Sequence, residues 1–331
     1  MKVLTSFLSV LAFNALASAR SRTTPPHGAL QVGNGKYQTI QDAINALKST
    51  TEEQSIFIHP GTYNGQVIVP QNLTGPLTIY GYTKDVDTYT ANEVTITAAG
   101  NVKVDSSDDK TGTLRVESQH FKLYNIDVVN SLGPHGQALA LSANAPNQGY
   151  YGCSFTGFQD TVLAESGSQL YARCYIEGAT DFIFGQDANA WFEKCNIGVL
   201  PAGYGTITAS GRSSKYSSSY YVINNSFIGA APGRKVTKGA YYLGRPWGDW
   251  ARVAVQHTNM TDVINPAGWS AWGTGADAMT DHAAFGEYEN YGAGAEGHRA
   301  SFSSTLKYPV KIEAVLGNDY ASQEHIDTSY L

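Results

Sequence analysis

The stretch YYGCSFTGFQDTVLAESGSQLYARCYIEGATDFIFGQDANAWFEKCNIG, residues 150–198, repeats one pattern three times. Each copy has aromatic residues, then a cysteine, then a short apolar segment that ends in glycine. The three cysteines, Cys153, Cys174 and Cys195, are spaced 21 residues apart. A period near 20 residues, made of short strands and polar turns, is typical of a solenoid of stacked coils.

Weaker copies of this pattern extend the repeat on both sides. FKLYNIDV precedes it around Tyr124, and YVINNSFIG follows it around Asn225. The spacing there grows to about 30 residues, as expected where loops are inserted into some coils. We therefore predict an all-β fold, a right-handed parallel β-helix in which equivalent residues of successive coils lie one above another.

Stacking of the coils would place the three cysteines in a ladder on the inner face. Neighbouring strands lie about 4.8 Å apart, which is within the Cα separation that a disulfide tolerates. An odd number of cysteines leaves at least one thiol unpaired within the chain. Two possibilities stay open: a disulfide between one adjacent pair, or a reduced and buried ladder.

The two ends of the chain differ from the repeat. Residues 37–47, YQTIQDAINAL, have apolar side chains at helical spacing, and Thr39 with Asp42 can form a capping box. An amphipathic helix here would cover the open N-terminal end of the β-helix. The strand pattern is lost after Gly273, and we expect loops and short helix at residues 281–300, in a loop-rich C-terminal region.

Composition and charge limit the possible partners. The chain has 331 residues, of which 42% are hydrophobic and 15% charged, and its formal net charge is -6. The charges form no long runs, which argues against nucleic acid or an anionic membrane as the main partner. We expect a monomer.

Residues 1–19 carry a basic residue, an apolar run and a terminal Ala-Ser-Ala. This arrangement predicts a signal peptide that is cleaved after residue 19, followed by a single catalytic domain over residues 20–331. The protein is then secreted and extracellular. Three glycosylation sequons are compatible with that route: Asn72, Asn224 and Asn259.

Two aspartates hold the same place in successive copies of the repeat. Asp160 and Asp181 each follow a cysteine by seven residues, so they would stack with their backbones about 5 Å apart. Two carboxylates that close do not both ionise freely, so one would hold a proton while the other acts as nucleophile or base. Gln159 beside Asp160, and Gln137 one coil earlier, offer amides that suit a developing oxyanion. The alternative is that both aspartates are turn residues that face solvent separately.

Other chemistries lack their motifs. The sequence has no G-x-S-x-G elbow, no H-E-x-x-H pair and no glycine-rich phosphate loop. Its eight histidines show no zinc-like clustering. A serine esterase or a metalloenzyme is therefore disfavoured, and we expect neither a metal nor a cofactor.

Four segments, in this order, resemble the signature blocks of the pectin methylesterases: GQALAL, FQDTV, DFIFG and LGRPW. This family of carbohydrate esterases removes methyl groups from esterified homogalacturonan. The resemblance covers nearly the whole mature chain, because YQTIQDAI, IFIHPGTYNGQV, VINPAGW and FGEYENYGAGA also look like family blocks. It implies a right-handed parallel β-helix, no metal, and methyl-esterified pectin polysaccharide as the partner.

The resemblance also implies a role for each matching residue. Asp181 in DFIFG would be the nucleophile that attacks the C6 methyl ester and forms an acyl intermediate. Asp160 in FQDTV would act first as general acid and then as base. Gln137 and Gln159 would donate hydrogen bonds to the oxyanion. Arg245 in LGRPW would pair with Asp181, although a surface ion pair of little energy is the alternative.

Three aromatic residues are candidates for substrate binding. Trp247, in LGRPW, would stack on a sugar ring, or would merely cover the edge of a coil. Trp269 in PAGW is a second candidate for stacking. Phe182 in DFIFG is a third, although strand alternation points its side chain away from that of Asp181, which would make it a core residue.

Two rival functions fit the same scaffold. Carboxylates about 5 Å apart also suit a retaining glycosidase, so a pectin-chain depolymerase is possible on geometry. Against it, no acidic cluster suggests the calcium site of a lyase. The second rival is a non-catalytic β-helix that binds carbohydrate through its tyrosines and tryptophans. Release of methanol from methylated pectin distinguishes the esterase from both.

Overall fold

The computed structural model describes residues 20–331. The predicted signal peptide, residues 1–19, lies outside the described residues. Within 20–331 the chain forms 26 strands, which lie in three sheets of 11, 7 and 8 strands. All pairings between these strands are parallel, as expected when each coil contributes one strand to each sheet.

The first thirteen strands, in chain order, are β1 (Leu30–Val32), β2 (Gln54–Ile58), β3 (Gly61–Asn64), β4 (Val67–Val69), β5 (Leu77–Gly81), β6 (Val94–Ala98), β7 (Leu114–Val116), β8 (Phe121–Tyr124), β9 (Asp127–Asn130), β10 (Leu141–Ala143), β11 (Gln148–Tyr151), β12 (Ser154–Thr156) and β13 (Val162–Ala164). The remaining strands are β14 (Ser166–Ala172), β15 (Tyr175–Gly178), β16 (Ile183–Gly185), β17 (Asp187–Glu193), β18 (Asn196–Val199), β19 (Gly205–Ser210), β20 (Tyr220–Asn224), β21 (Phe227–Ala230), β22 (Tyr241–Pro246), β23 (Arg252–Gln256), β24 (Asn259–Met260), β25 (Ala284–Tyr288) and β26 (Ser303–Thr305).

The helices are short. The α-helices are α1 (Ile40–Asn45), α2 (Val102–Asp105) and α3 (Glu313–Leu316). The 3₁₀ helices span Tyr89–Ala91, Asp109–Thr111, Gly275–Ala278, Ala293–Ala295, Tyr320–Ser322 and Thr328–Tyr330. Within residues 20–331, no helix has the length and apolar character needed to cross a membrane.

We call the three sheets I, II and III. Sheet I runs β1-β2-β5-β8-β11-β14-β17-β20-β23-β25-β26, sheet II runs β22-β19-β16-β13-β10-β7-β4, and sheet III runs β24-β21-β18-β15-β12-β9-β6-β3. Tyr150 pairs with Tyr171, and Tyr171 with Phe192, so this part of the chain has a coil of 21 residues. Their rings stack inside the coils, with centroids 4.8 and 4.5 Å apart. The predicted right-handed parallel β-helix is confirmed.

Along much of the β-helix, a two-residue corner joins a strand of sheet I to the following strand of sheet III. Its first residue has a left-handed conformation, with φ between 48° and 57°, in six coils: Asn125, Gly152, Arg173, Lys194, Asn225 and His257. Its second residue points inward, and in three coils that residue is Cys153, Cys174 or Cys195, each fully buried. All three thiols are free. Of the two possibilities that the sequence left open, the structure therefore has the reduced ladder.

Helix α1 packs against the first coils at the N-terminal end, as predicted. The hydroxyl of Thr39 accepts a hydrogen bond from the amide of Asp42 at 3.1 Å, which caps the helix. Ile40, Ala43 and Ile44 are buried in the main core. The helix therefore covers apolar side chains that the end of a solenoid would otherwise expose.

The C-terminal region differs from the expectation at one point. Residues 281–300 were expected to form loops and short helix, but β25 lies among them and β26 follows, and both extend sheet I. Beyond them, α3 and the last 3₁₀ helices lie against the outer face of sheet I, where Val315, Leu316 and Tyr330 pack on its aromatic side chains.

Candidate active site

The backbone brings the two aspartates together just before β13 and β16, which are neighbouring strands of sheet II. Gln137 bridges to Gln159, and Gln159 bridges to Thr180, in parallel register. Asp160 and Asp181 come next in their coils, with left-handed φ values of 61° and 48°. Such backbone conformations cost free energy for residues other than glycine, and they cluster at functional sites.

Asp181 forms a bidentate ion pair with Arg245. The Nε of Arg245 donates to Oδ1 at 2.9 Å, and its Nη2 donates to Oδ2 at 2.6 Å. Arg245 lies in β22, where it pairs with Ala209 of β19, and Ala209 pairs in turn with Phe184 of β16. The guanidinium therefore reaches Asp181, which precedes β16, from two strands away in sheet II. Burial alone would lower the pKa of Arg245, but the hydrogen bond and charge of Asp181 outweigh burial and raise it. With Asp181 6% exposed, Arg245 and Asp181 form a partly buried ion pair and not a surface one.

Asp160, unlike Asp181, has no ion-pair partner among the described residues. It is also 6% exposed. Burial, followed by the negative charges of Asp181 and Asp108, raises its pKa to about 8, although Arg245 acts against this shift. At neutral pH the carboxyl group of Asp160 therefore holds its proton, so it can donate one.

These groups share one cavity of about 280 Å³. Six polar or charged and four apolar residues line it: Asp108, Gln137, Gln159, Asp160, Asp181, Phe184, Ala209, Arg245, Trp247 and Trp272. All five residues predicted to be catalytic, and Trp247, are among them. An ionised carboxylate, a protonated carboxyl group and two amides in one cavity suit attack on a carbonyl carbon.

Two of the predicted substrate-binding residues lie elsewhere. Phe182 is fully buried in the main core, because the chain passes from the left-handed Asp181 directly to an inward position. Trp269 is 1% exposed and stacks on Phe285, with ring centroids 4.4 Å apart. Neither side chain can stack on a sugar, so both predictions were wrong.

The aromatic wall of the cavity is instead built by Trp247, Phe184 and Trp272. Phe184 and Trp247 have centroids 6.1 Å apart, and the guanidinium of Arg245 lies 4.2 Å from the ring centroid of Trp272. Trp272 was missed because it belongs to a loop. Strand alternation from the inward Phe182 would have placed Phe184 inward as well, but the strand begins at Ile183, which is itself inward, so Phe184 faces the cavity.

A larger cleft, about 740 Å³, lies between sheet I and the C-terminal segment and contains Glu193. That carboxylate is 4% exposed. It accepts hydrogen bonds of 2.7 to 2.9 Å from Trp191, Asn224 and Asn225. Because neutral donors already occupy both of its oxygens, Glu193 belongs to a structural polar network.

No three histidine, cysteine, aspartate or glutamate side chains among the described residues are arranged to hold a metal ion.

Comparison with known proteins gives one consistent result. Residues 29–329 match the family model described as Pectinesterase. The pectinesterases of Aspergillus niger and Aspergillus aculeatus are each 50% identical to this chain over 331 aligned residues. Each alignment covers 98% of this chain and 99% of the relative. The crystal structure of the deglycosylated Aspergillus niger pectin methylesterase has 41% identity and a TM-score of 0.86, and covers 94% of this chain and 100% of its own. The pectin methylesterase from carrot has 27% identity and a TM-score of 0.81, with 94% and 99% covered.

Proposed function

The chain belongs to the pectinesterase family, and we propose that its buried pair of aspartates carries out the de-esterification of methylated pectin. It is a carboxylic ester hydrolase, which releases methanol and leaves galacturonate carboxylates on the polymer. The observation that carries the assignment of roles is the contrast between the two carboxyl groups. Asp181 is clamped by Arg245 at 2.6 and 2.9 Å, whereas Asp160 has a pKa raised to about 8.

In the first step, an oxygen of Asp181 attacks the C6 carbonyl carbon of the methyl ester. The carbonyl oxygen gains negative charge, which the side-chain amides of Gln137 and Gln159 stabilise by donating hydrogen bonds. The bond from C6 to the methoxy oxygen then breaks. Asp160 gives its proton to that oxygen, methanol leaves, and C6 remains attached to Asp181 as an acyl intermediate.

In the second step, Asp160 is a carboxylate and can act as base. It takes a proton from water, and the hydroxide oxygen adds to C6. The bond between C6 and Asp181 breaks, so the nucleophile is restored and the sugar carries a carboxyl group. The sum is one ester plus one water giving one acid plus one methanol.

The aromatic wall provides the place for the sugar rings. Trp247 and Trp272 are both half-buried, and so they offer partly exposed ring faces beside the reacting groups. Aromatic faces bind the apolar faces of sugars without a charge requirement, which suits a neutral ester. We further propose that the protein is secreted after loss of residues 1–19 and acts as a monomer.

The test is an assay of the purified secreted protein on highly methylated homogalacturonan. Methanol, new reducing ends and the absorbance of unsaturated uronate are followed together. We expect methanol without the other two products. Reducing ends or unsaturation without methanol would identify a depolymerase, and binding without any product would identify a carbohydrate-binding β-helix.

A further inference from the structure

Asp181 has a second partner besides Arg245. Thr206, in β19, is fully buried, and its hydroxyl donates a hydrogen bond to Oδ1 of Asp181 at 2.6 Å. The same hydroxyl oxygen accepts a hydrogen bond from the backbone amide of Asp181 at 3.1 Å. One hydroxyl group thus contacts both the main chain and the side chain of a single residue.

This double contact fixes the orientation of the carboxylate. Asp181 has a left-handed backbone with φ of 48°, a conformation that costs free energy unless its surroundings stabilise it. The bond from the amide to Thr206 stabilises the backbone, and the bond to Oδ1 prevents rotation of the side chain about its Cα–Cβ bond. Valine has the shape of threonine but can make neither hydrogen bond.

The two oxygens of Asp181 become unequal as a result. Oδ1 accepts from the hydroxyl of Thr206 and from Nε of Arg245, whereas Oδ2 accepts from Nη2 of Arg245. A carboxylate oxygen has two lone pairs in the carboxylate plane, and both are engaged on Oδ1. Oδ2 keeps one lone pair that can attack an ester carbon.

We infer that Thr206 is a positioning residue of the esterase, which locks the side chain of Asp181 and leaves Oδ2 as the attacking oxygen. This inference rests on the proposed function, in which Asp181 is the nucleophile. Thr206 lies in β19, the strand next to β16, and it does not line the cavity. It therefore acts on the reaction through Asp181 and not by touching the substrate.

The chain offers a matched control two residues along the same strand. Thr208 is also fully buried, but its hydroxyl donates to the backbone carbonyl of Leu243 at 2.9 Å. Thr206→Val and Thr208→Val therefore remove the same group from the same strand at the same depth. The general cost of losing a buried hydroxyl is common to both variants.

The test is steady-state methanol release from methylated homogalacturonan by wild type, Thr206→Val, Thr206→Ser and Thr208→Val, with thermal unfolding measured alongside. We expect Thr206→Val to lower kcat by roughly 10- to 100-fold, since hydrogen bonds to charged groups are worth about that factor. Its KM should stay within about twofold, because binding contacts are unchanged. Thr206→Ser keeps the hydroxyl and should restore kcat, and Thr208→Val should retain it.

Two results would overturn the inference while leaving the proposed function intact. One is an active wild type with Thr206→Val inside threefold of its kcat. The other is an equal loss of kcat in Thr208→Val, which would make the effect one of general stability. A wild type that releases no methanol would overturn the proposed function itself.

Discussion

At the scale of single residues, Asp160 and Asp181 have the same side chain and the same exposure but different partners. A guanidinium binds both oxygens of Asp181. Asp160 is neutral at pH 7 because burial and two neighbouring carboxylates raise its pKa to about 8. In the proposed mechanism, the division of labour between nucleophile and acid depends on what surrounds each carboxyl group, above all on Arg245 and Asp108.

Asp108 gives a prediction about the pH profile. Its negative charge is one of the causes that raise the pKa of Asp160, so Asp108→Asn should lower that pKa. The acid form of Asp160 would then be lost at lower pH. We expect the alkaline limb of kcat/KM for methanol release to lie near pH 8 in wild type and to move to lower pH in the variant.

The control for this shift is Asp262→Asn, which removes the same charge from an exposed position outside the cavity. Its alkaline limb should stay where wild type has it. An unchanged limb in Asp108→Asn, or an equal shift in Asp262→Asn, would show that the local charge of Asp108 does not control Asp160.

How well the sequence predicted single residues depended on the repeat. Asp160, Asp181, Gln137 and Gln159 were predicted because coil spacing places them at equivalent positions. Trp269 was misjudged because the motif PAGW does not tell which face of a coil the side chain of its tryptophan occupies. Neither the repeat nor a motif pointed to Thr206, Asp108 or Trp272, whose roles depend on contacts between side chains of different coils.

At the scale of elements, the C-terminal segment is attached to sheet I by hydrogen bonds as well as by apolar packing. The hydroxyl of Tyr151 in β11 donates to the carbonyl of His325 at 2.5 Å, and the hydroxyl of Tyr330 donates to the carbonyl of Val86, in the loop between β5 and β6, at 2.9 Å. Gly149 in β11 lets this segment approach closely, since a Cβ there would overlap the carbonyl oxygen of His325.

Gly149→Ala should therefore push the segment away from sheet I. We expect a loss of about 1–3 kcal/mol in the free energy of unfolding, as is typical when an extra methyl group is forced into a packed interface. The kcat for methanol release should be unchanged, because the catalytic cavity is on sheet II. Chemical denaturation, together with limited proteolysis of the C-terminal segment, measures the first effect.

Gly203→Ala is the matched control, since a Cβ at that loop position meets open space. It should unfold like wild type. If Gly149→Ala were as stable as wild type and equally resistant to proteolysis, the close approach of the segment would not be a feature of the protein in solution.

The C-terminal elements also mark a limit of the sequence analysis. β25 and β26 were not predicted, because their neighbours on the chain are glycine-rich loops and no further cysteine marks the period. Helix α1 was predicted with its cap, since the apolar spacing and Thr39 are local signals. Elements with local signals were thus foreseen, and elements defined by pairing with a distant strand were not.

At the scale of the whole molecule, the 21-residue period was enough to predict the fold class. A parallel β-helix repeats its inward positions once per coil, so the spacing of the buried cysteines indicates both the coil length and the fold class. The sequence did not decide between a disulfide and free thiols, because both fit the spacing between neighbouring coils.

The free-thiol ladder predicts how the cysteines react. Cys153, Cys174 and Cys195 are fully buried, and burial raises the pKa of the Cys174 thiol, so little of the reactive thiolate is present. We expect no alkylation of the native protein. After denaturation without a reducing agent, mass spectrometry of the intact chain should find three alkyl groups, and a single alkyl group would mean that two cysteines form a disulfide.

The most direct test of the catalytic assignment compares methanol release by Asp181→Asn, Asp160→Asn and the surface control Asp262→Asn on methylated homogalacturonan. With the fold intact by circular dichroism, Asp181→Asn should lose about 10³-fold or more in kcat, because an amide cannot replace the attacking carboxylate. Asp160→Asn should also lose most of its activity, and Asp262→Asn should match wild type. Substantial methanol release by folded Asp181→Asn would contradict its role as the nucleophile.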